Sequence, residues 1–404
     1  MTNSRKALYA YAVFTAVATL GLICMGGLVT SKGVGMAVPD WPTSFGYNMF
    51  ALPVNQWFHG GVFDEHTHRL WASTVGVLVV FLVRVLGGSE SRRPLAMIGA
   101  AEIVSGGALL ALGPAWKGAG HFLMGIGGVV LVASLVGFRR VPEAAPLPFL
   151  GWMAFWAVQI QGLLGGLRVV LDQWTVGNVT LGLVLGLIHG CLGQGFFVLL
   201  GVIALRLSPF WESIAGAGKE RLRGGLPVWF GLAIGLTALQ LVLGATMRHQ
   251  HAGLAISDFP TAYGHWWPPV DPESLVRYNQ NRPDESTVTA FQILLQMAHR
   301  MGAVAVVITV ALSLQSARRG YGVNSPVSRI SAVWLGLVVG QFVLGASILW
   351  THKAADIATA HVALGATSLL VGTVLILVAR KLTLSECDAA SAGMIPAFAG
   401  RSAR

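Results

Sequence analysis

Residues 64–69 read Asp-Glu-His-Thr-His-Arg, and they open the apolar run 70–86. Two acids, two histidines and an arginine are costly at the start of a membrane-length helix, so such residues usually serve a function. A related step, Gln-Met-Ala-His-Arg at residues 296–300, opens a second apolar run. The two His-Arg steps predict a duplicated chain with a chemical site at the entrance to each copy.

The composition is that of a membrane protein. Of the 404 residues, 54% are hydrophobic and 11% are charged, and the mean hydropathy is +0.67. Soluble domains carry about 25% charged residues. The net charge of +10 therefore belongs to loops between spans, and we expect no nucleic-acid partner. The three cysteines form no CxxC pair, which argues against a disulfide or a thiolate metal site.

Apolar runs of about 20 residues, the length that crosses a bilayer, recur along the chain. They predict an all-α polytopic membrane bundle. The first run is too long for the apolar region of a signal peptide, so we expect it to be retained. Ten spans are predicted, near residues 8–29, 67–87, 95–113, 119–138, 147–169, 183–205, 227–247, 293–314, 329–350 and 357–379.

The charge distribution predicts the orientation. Ten spans place both termini on one side, and Lys and Arg accumulate on the cytoplasmic side. We therefore predict a multi-pass protein of the cell (inner) membrane with both termini cytoplasmic and with loops 31–66 and 248–292 outside. The segments predicted to be cytoplasmic hold most of the 27 basic residues, namely Arg5, Lys6, Arg84, Arg92, Arg93, Arg139, Arg140, Arg206, Lys219, Arg221, Arg223, Arg318, Arg319, Arg329, Arg380, Lys381, Arg401 and Arg404. Acidic residues gather in the outer segments, namely Asp40, Asp64, Glu65, Asp172, Asp258, Asp271, Glu273, Asp284, Glu285 and Asp356.

An internal repeat sets the domain organisation. Residues 35–46 align with residues 253–264, with half of the positions identical and Asp40 on Asp258. The spans at 95–113 and 119–138 have no counterpart and are read as an inserted hairpin. The predicted units are an N-terminal four-helix repeat at 1–206 with the hairpin at 92–140, a cytoplasmic linker at 207–226, a C-terminal four-helix repeat at 227–381 and a cytoplasmic tail at 382–404.

Four histidines occupy equivalent positions, each early in a span entered from outside: His68, His189, His299 and His361. Two histidines facing each other across a four-helix bundle are a common way to hold a heme iron. Small-residue steps on the preceding spans would leave room for a flat macrocycle, namely Gly26-Gly27, Gly165-Gly166, Gly244-Ala245 and Gly345-Ala346. A helix–helix hydrogen bond explains a lone histidine in a span, and zinc or copper is an alternative metal. Repetition favours heme iron.

The residues beside these histidines differ between the repeats. Glu65 lies one helical turn before His68, whereas Gln296 takes that place in the second repeat. A carboxylate can transfer protons and an amide cannot, so the first repeat is the candidate reactive half. An ordinary interfacial acid is the alternative.

Arg69 and Arg300 each follow a candidate ligand. Either one can bind heme propionates through its guanidinium fork or meet lipid headgroups. Glu102, in the inserted hairpin, is expected to face a neighbouring helix. Most of the other histidines fall in or beside outer loops and are expected to be solvated, namely His59, His249, His251, His265 and His352.

The motif set resembles the heme A synthase family over the eight core spans. The matching motifs are Gly26-Gly27, Gly35, Asp40-Trp41-Pro42, Phe45-Gly46, Glu65-x-x-His68-Arg69, His189, Asp258-Phe259-Pro260, His299-Arg300 and His361. Some members of that family carry a cysteine pair in the first outer loop. Val38 and Ser44 stand at those places here, and the 95–138 hairpin is extra.

The resemblance implies an oxidoreductase that converts the C8 methyl of heme O into a formyl group, giving heme A for cytochrome oxidases. It implies heme B as cofactor on His299 and His361. It implies heme O as substrate facing His68 and His189, with Glu65 as the essential acid. An electron donor, the heme O synthase and a second copy of the chain are the further candidate partners.

Two other functions compete with this interpretation. A diheme electron carrier linked to quinol explains the four histidines and the duplication but not the difference between Glu65 and Gln296. A transporter built from repeats would place polar residues near the middle of the membrane, whereas the four histidines lie near one face.

Overall fold

The computed structural model describes residues 3–137, 147–177, 179–214, 227–282 and 287–392, and this part of the chain is predominantly helical, as predicted. The helices are α1 (Asn3–Ser31), α2 (Val62–Ala111), α3 (Lys117–Leu135), α4 (Leu147–Val170), α5 (Leu181–Leu207), α6 (Pro209–Ser213), α7 (Val228–His249), α8 (Pro272–Gln280), α9 (Ala290–Tyr321), α10 (Pro326–Trp350) and α11 (Ala355–Ala392). Several residues used to predict orientation lie outside the described residues, namely Arg139, Arg140, Lys219, Arg221, Arg223, Asp284, Glu285, Arg401 and Arg404, as do parts of the predicted linker and tail.

Nine helices in the described ranges are long and apolar enough to cross a membrane, so the protein is a multi-pass membrane protein. The sequence predicts ten spans. The difference arises in α2, a 50-residue element that contains both the 67–87 and the 95–113 predicted spans.

The two parts of α2 meet at Gly88, whose φ of 54° and ψ of −136° are not helical. Glycine adopts such a positive φ without the steric cost that other residues meet. Arg84 donates to the carbonyl oxygens of Gly88 and Val136, at 2.5 and 2.8 Å, and the Ser91 hydroxyl donates to Gly88 at 2.9 Å. These bonds satisfy carbonyls that the break would leave unpaired.

The inserted hairpin consists of the second part of α2 packed closely on α3. A Cβ on Gly99 would lie 2.7 Å from the Gly127 carbonyl oxygen, and one on Gly106 would lie 2.7 Å from the Gly120 carbonyl oxygen. Small residues allow this close helix approach.

The remaining long helices form two rings. In the first, α1 packs on α2, α2 on α4, α4 on α5 and α5 on α1; in the second, α7, α9, α10 and α11 pack in the same cyclic way. Each ring has a hydrophobic cluster centred on its own helices, and the first cluster also includes Ala366 of α11, where the rings meet. Contacts of α1 and α5 with α11, and of α5 with α7, join the rings.

The outer loops of the two repeats share one conformation. Both contain a cis X-Pro bond, at Trp41-Pro42 and Phe259-Pro260, followed by a residue with φ near 52° (Phe45 at 53°, Tyr263 at 52°). The first loop carries the short antiparallel strands β1 (Thr43–Ser44) and β2 (Tyr47–Asn48), and a similar pair, β3 (Thr175–Val176) and β4 (Val179–Thr180), precedes α5.

Candidate functional site

The four predicted histidines all lie near the starts of long helices, on α2, α5, α9 and α11. Each imidazole rests against the small-residue step of a neighbouring helix. A Cβ built on the facing glycine would lie 3.0–3.2 Å from the histidine Cε1, for the pairs Gly26–His68, Gly165–His189, Gly244–His299 and Gly345–His361. The same glycine–histidine contact therefore occurs four times, and any larger residue would push the ring.

The ring nitrogens of these histidines are in two different environments. In all four, Nδ1 is buried without a hydrogen-bond partner among the described residues, whereas Nε2 is not among the buried, unpartnered atoms. Each ring as a whole is half-buried. The rings therefore keep Nε2 accessible, and a neutral imidazole can bind a metal through that nitrogen.

The His299 and His361 rings have the separation that a shared iron requires. Their centroids are 6.5 Å apart. With about 2 Å from metal to nitrogen and about 1.1 Å from nitrogen to ring centre, two imidazoles on opposite sides of one iron have centroids about 6 Å apart. The rings of His68 and His189 interact electrostatically but are not in ring contact. The residues present at the second pair fit a heme held from both sides.

Compact metal-ion sites are a different case. Nowhere in the described ranges do three or more His, Cys, Asp or Glu side chains come together to hold a metal ion. Two histidines per site, facing small residues, are a donor set suited to a heme iron rather than to a bare zinc or copper ion.

Two glutamines support the histidine-bearing helices. Gln161 Nε2 donates to the His189 carbonyl oxygen at 3.3 Å, and Gln240 Nε2 donates to that of His299 at 2.7 Å. Each glutamine lies four residues before its glycine. The repeated Gln-x-x-x-Gly pattern is visible in the sequence, but this positioning role was not predicted from it.

Glu65 is 4% exposed and holds the first outer loop. Its Oε2 accepts from the Val38 N–H at 2.9 Å, and its Oε1 accepts from Arg69 Nη2 at 2.7 Å. Gln296 makes the matching contacts in the second repeat: its Oε1 accepts from the Ile256 N–H at 2.6 Å, and its Nε2 donates to the Ile256 carbonyl at 3.0 Å. The two residues bind the same loop position, and they differ in that only Glu65 can carry a proton.

Arg69 and Arg300 also hold the loops. Arg69 donates to the carbonyl oxygens of Asp40 and Val38, at 2.7 and 2.8 Å. Arg300 donates to those of Thr261 and Asp258, at 2.8 and 2.7 Å. Both terminal nitrogens of each guanidinium thus have protein acceptors, and the propionate contact predicted for each arginine stays a prediction.

Asp40 organises the tip of the first loop, and Asp258 organises the second. Asp258 accepts from the Tyr263 N–H at 2.7 Å, the Gly264 N–H at 3.0 Å and the Thr261 hydroxyl at 2.7 Å. Burial alone would raise the pKa of each aspartate, but these hydrogen bonds, and their equivalents at Asp40, outweigh burial and lower the pKa below the usual value. Both carboxylates are therefore ionised at neutral pH.

The remaining polar predictions have mixed outcomes. Glu102 faces a neighbouring helix, as expected, and accepts from Gln159 Nε2 at 2.9 Å. His66 is fully buried, 4.8 Å from the Trp57 ring centroid. The outer-loop histidines His59, His251, His265 and His352 are exposed. His249 is an exception to the expected solvation: it is half-buried because it packs on α5, where a Cβ on Gly186 would lie 3.0 Å from its Cε1.

Three basic residues that the sequence did not single out interact with one another through Arg248, and one of them, Arg168, also interacts electrostatically with both histidines of the first pair. Arg168 lies in the last turn of α4, Arg248 lies in the last turn of α7, and Lys353 follows α10. The available signal was their location: all three lie at ends of spans that the charge distribution predicts to be outside, against the usual cytoplasmic bias of basic residues.

Comparison with known proteins found a matching family. The sequence profile of the COX15-CtaA family, described as cytochrome oxidase assembly protein, matches residues 118–374. The matched region contains His189, His299 and His361, and Glu65 and His68 precede it.

Two relatives extend the similarity. The chain is 22% identical over 350 residues to the heme A synthase of Shouchella clausii (strain KSM-K16), covering 86% of this chain and 89% of the relative. It is 23% identical over 242 residues to the heme A synthase of Geobacillus kaustophilus (strain HTA426), covering 60% of this chain and 68% of the relative. The chain therefore belongs to the COX15-CtaA family of cytochrome oxidase assembly proteins, the heme A synthase family.

Proposed function

We propose that this protein is a heme A synthase, an oxidoreductase that converts the C8 methyl of heme O into a formyl group for cytochrome oxidase assembly. The family profile and the names of both relatives support this. The observation that carries the proposal is the contrast between Glu65 and Gln296 in two otherwise matching sites. One site has a proton carrier and the other has an amide, so the two sites have different tasks.

The two tasks divide between the two rings of helices. The substrate half is residues 1–206 with the hairpin 92–140, and the cofactor half is residues 227–381; the linker 207–226 joins them and the tail 382–404 follows. The two hydrophobic clusters, each centred on one ring of helices, support this division.

Heme B is the proposed cofactor, held by His299 and His361. The 6.5 Å ring separation and the space at Gly244 and Gly345 support this assignment. When bound, heme B supplies an iron centre that exchanges single electrons. His68 and His189, on their own pair of glycines, face the heme O substrate.

In the first half, a side chain of the protein itself takes part in the proposed reaction. Converting a methyl into a formyl group is a four-electron oxidation that adds one oxygen atom and releases protons, and the oxidant and the oxygen atom must come from outside the chain. A carboxylate beside the methyl that accepts a released proton lowers the barrier. Glu65 is that acceptor, and the Val38 N–H and Arg69 fix the orientation of both its oxygens. Arg69 and Arg300 lie close to the ligands and are the proposed propionate contacts of the two hemes.

The outer loop helps to exclude water from the substrate half. Trp41 packs edge-on against Phe122 of α3, with ring centroids 5.3 Å apart, and against Gly166 of α4. The hairpin therefore supports the loop that Glu65 holds. A site closed to water strengthens the electrostatic interactions inside it.

The proposed orientation places both termini in the cytoplasm and the protein in the cell (inner) membrane. Arg5 of α1 forms an ion pair with Glu212 of α6, and Lys381 of α11 donates to the Trp211 carbonyl oxygen at 2.5 Å. Both chain ends thus meet α6 at one end of the bundle, where basic residues gather. An electron donor, the heme O synthase and a second copy of this chain are the proposed partners.

Extraction of the bound pigment tests the function. The protein is purified in detergent, and the extracted hemes are identified by chromatography. Heme B together with heme O or heme A is the expected result. Heme B alone, at two per chain, would favour the diheme electron carrier, and a folded preparation without heme would exclude both functions.

A further inference from the structure

Basic side chains from three parts of the chain converge at the outer end of the contact between the two halves. Arg168 comes from α4, Arg248 and His249 come from the last turn of α7, and Lys353 lies between α10 and α11. A Cβ on Gly186 of α5 would lie 3.0 Å from the His249 ring and 3.3 Å from Arg168 Nε. Arg168 and Arg248 interact electrostatically, as do Arg248 and Lys353. We call Arg168, Arg248, His249 and Lys353 the outer basic cluster.

Among the described residues, no member of the outer basic cluster forms an ion pair with an acid. Ion pairs do occur elsewhere in the described residues, for example Arg5–Glu212, Lys32–Asp64 and Arg69–Glu65. Asp172 lies in this region, since a Cβ on Gly182, one turn before Gly186, would lie 2.5 Å from its Oδ1, but it forms no ion pair with a cluster member. Burial, and then Arg248, lower the pKa of Lys353. Like charges held together away from water are unfavourable unless an anion joins them.

The cluster lies beside the first histidine pair. Arg168 interacts electrostatically with both His68 and His189. A Cβ on Gly35 would lie 2.5 Å from Arg168 Nη2, and Gly35 is three residues before Val38, whose N–H binds Glu65. Arg248 donates to the Ser31 hydroxyl at 2.7 Å and to the Gly27 carbonyl oxygen, which ties α7 to α1. The positive charge is therefore close to the proposed reactive residue.

We propose that Arg168 and Lys353, with Arg248 adding charge between them, bind the two propionate carboxylates of the porphyrin substrate held by the first half. They take the place of Arg69, whose two terminal nitrogens already donate to the first outer loop and to Glu65. This inference rests on the proposed function. Two carboxylates on one edge of a porphyrin match a cluster with several cations and no acid of its own, and guanidinium groups bind carboxylates through paired hydrogen bonds. The cofactor half thus contributes residues to the substrate site.

The chemistry of heme O gives this contact a consequence for selectivity. The C8 methyl shares a pyrrole ring with one propionate, whereas the hydroxyethylfarnesyl tail lies on a different pyrrole. Anchoring the propionates at the cluster therefore fixes the place of the C8 methyl. Because Arg168 lies next to the loop that Glu65 holds, the anchored methyl comes to the side of the site where Glu65 lies.

A comparison of heme O with its dimethyl ester tests the assignment. Both are titrated into the detergent-purified protein that retains its resident heme, and binding is followed by the Soret absorbance. Removing a charged hydrogen-bond partner typically changes affinity by about tenfold or more. We expect the wild-type protein to bind the diacid about tenfold more tightly than the diester, and Arg168→Gln or Lys353→Gln to remove most of that preference. Arg168→Lys should restore part of it.

Arg277→Gln is the matched control, because Arg277 is an exposed arginine on α8, in the second outer loop and away from the cluster. The preference of Arg277→Gln for the heme O diacid over the diester should equal that of the wild type. Retention of the resident heme spectrum reports folding of each variant, and Lys353→Gln serves if Arg168→Gln does not fold.

Equal binding of diacid and diester by the wild type would overturn the inference, and would indicate that the cluster binds another anion such as a lipid phosphate. Loss of the resident heme in Arg168→Gln, with the heme O preference intact, would also overturn it. Neither result contradicts the proposed function, which fails only if the protein makes no heme A from heme O.

Discussion

Glu65 and Gln296 differ by one functional group in the same structural place. Each is nearly fully buried, and each holds the N–H of an equivalent loop residue, Val38 or Ile256. The amide at 296 holds its loop without an ion pair, so the loop contact alone does not require a carboxylate. The carboxylate at 65 adds two properties, an ion pair with Arg69 and the capacity to carry a proton.

The Glu65→Gln variant should therefore distinguish the role of Glu65 in holding the first outer loop from its proposed role in the reaction. We expect the variant to fold and to keep its bound hemes, because Gln296 shows that glutamine can hold such a loop. Heme A formation should fall by about 10²- to 10⁴-fold, the usual contribution of a general acid or base. The measurement is chromatography of hemes extracted after incubation with heme O.

The control is Gln296→Glu, which can pair with Arg300 as Glu65 pairs with Arg69. It should leave heme A formation close to that of the wild type. A Glu65→Gln variant that forms heme A at the wild-type rate would reduce Glu65 to a residue that holds the loop.

Asp258 gives the second outer loop a pH dependence whose sign is set by its lowered pKa. A carboxylate whose pKa is lower in the folded state stabilises the loop fully above the unfolded value of about 4 and loses that effect as the pH falls through the folded value. Limited proteolysis with an acid-active protease should therefore cut the loop faster below about pH 4. In Asp258→Asn this acid-induced step should be smaller. If the wild-type loop already opened between pH 7 and pH 5, groups other than this carboxylate would control it.

At the scale of the helices, the repeated element is a glycine on one helix and a histidine on the next. The contact works because the glycine has no side chain where the imidazole lies, with a hypothetical Cβ only 3.0 Å from the His299 ring at Gly244. The histidine, in turn, keeps its Nε2 free of a hydrogen bond to the described residues. The same glycine–histidine contact thus packs two helices together and positions the candidate ligand.

Gly244→Val should displace the His299 ring and weaken binding of the resident heme. Overpacking of this kind costs about 1–3 kcal/mol, which corresponds to a loss of affinity of about 5- to 160-fold. The heme B content per chain, measured from the pyridine hemochrome spectrum, should fall. Gly235→Val on the same helix is the matched control, because nothing lies within 4 Å of a Cβ there. Equal loss in both variants would mean that valine harms α7 in general.

The sequence was sufficient for the parts of this site that repeat. The spacing of His68, His189, His299 and His361 predicted both their helices and their equivalence, because a duplicated pattern reports a duplicated structure. The direction of Arg69 could not be predicted in this way. A side chain at the mouth of a helix points where the loop offers acceptors, and the loop conformation is a tertiary property.

The outer basic cluster also could not be predicted from the sequence. Arg168, Arg248 and Lys353 are far apart in the chain, and no local pattern joins them. Only the packing of α5 against α7 brings them together. In α2, by contrast, the sequence predicted a boundary between the spans 67–87 and 95–113, and the structure has it at Gly88. What the sequence did not predict is that the two helices meet at a kink, where Arg84 donates to Gly88, rather than across a loop.

On the scale of the whole molecule, duplication allows two similar sites to specialise. Each ring of helices has a hydrophobic cluster centred on its own helices, and the cluster of the first ring also includes Ala366 of α11. They meet where α1 and α5 contact α7 and α11, and the residues that join them include Arg248, bound to α1. One half can thus keep a permanent cofactor while the other exchanges its ligand.

This arrangement predicts different consequences for loss of one histidine in each half. His299→Ala should remove the resident heme B, because one of its two ligands is lost. His68→Ala should leave heme B in place and abolish heme O binding or conversion. The two contacts are otherwise matched, since each histidine faces a glycine whose Cβ would lie 3.0 Å away. Heme B content and heme O binding are measured on the same preparations. Loss of heme B in both variants alike would indicate that the halves do not load independently, and loss only in His68→Ala would reverse the assignment of cofactor and substrate halves.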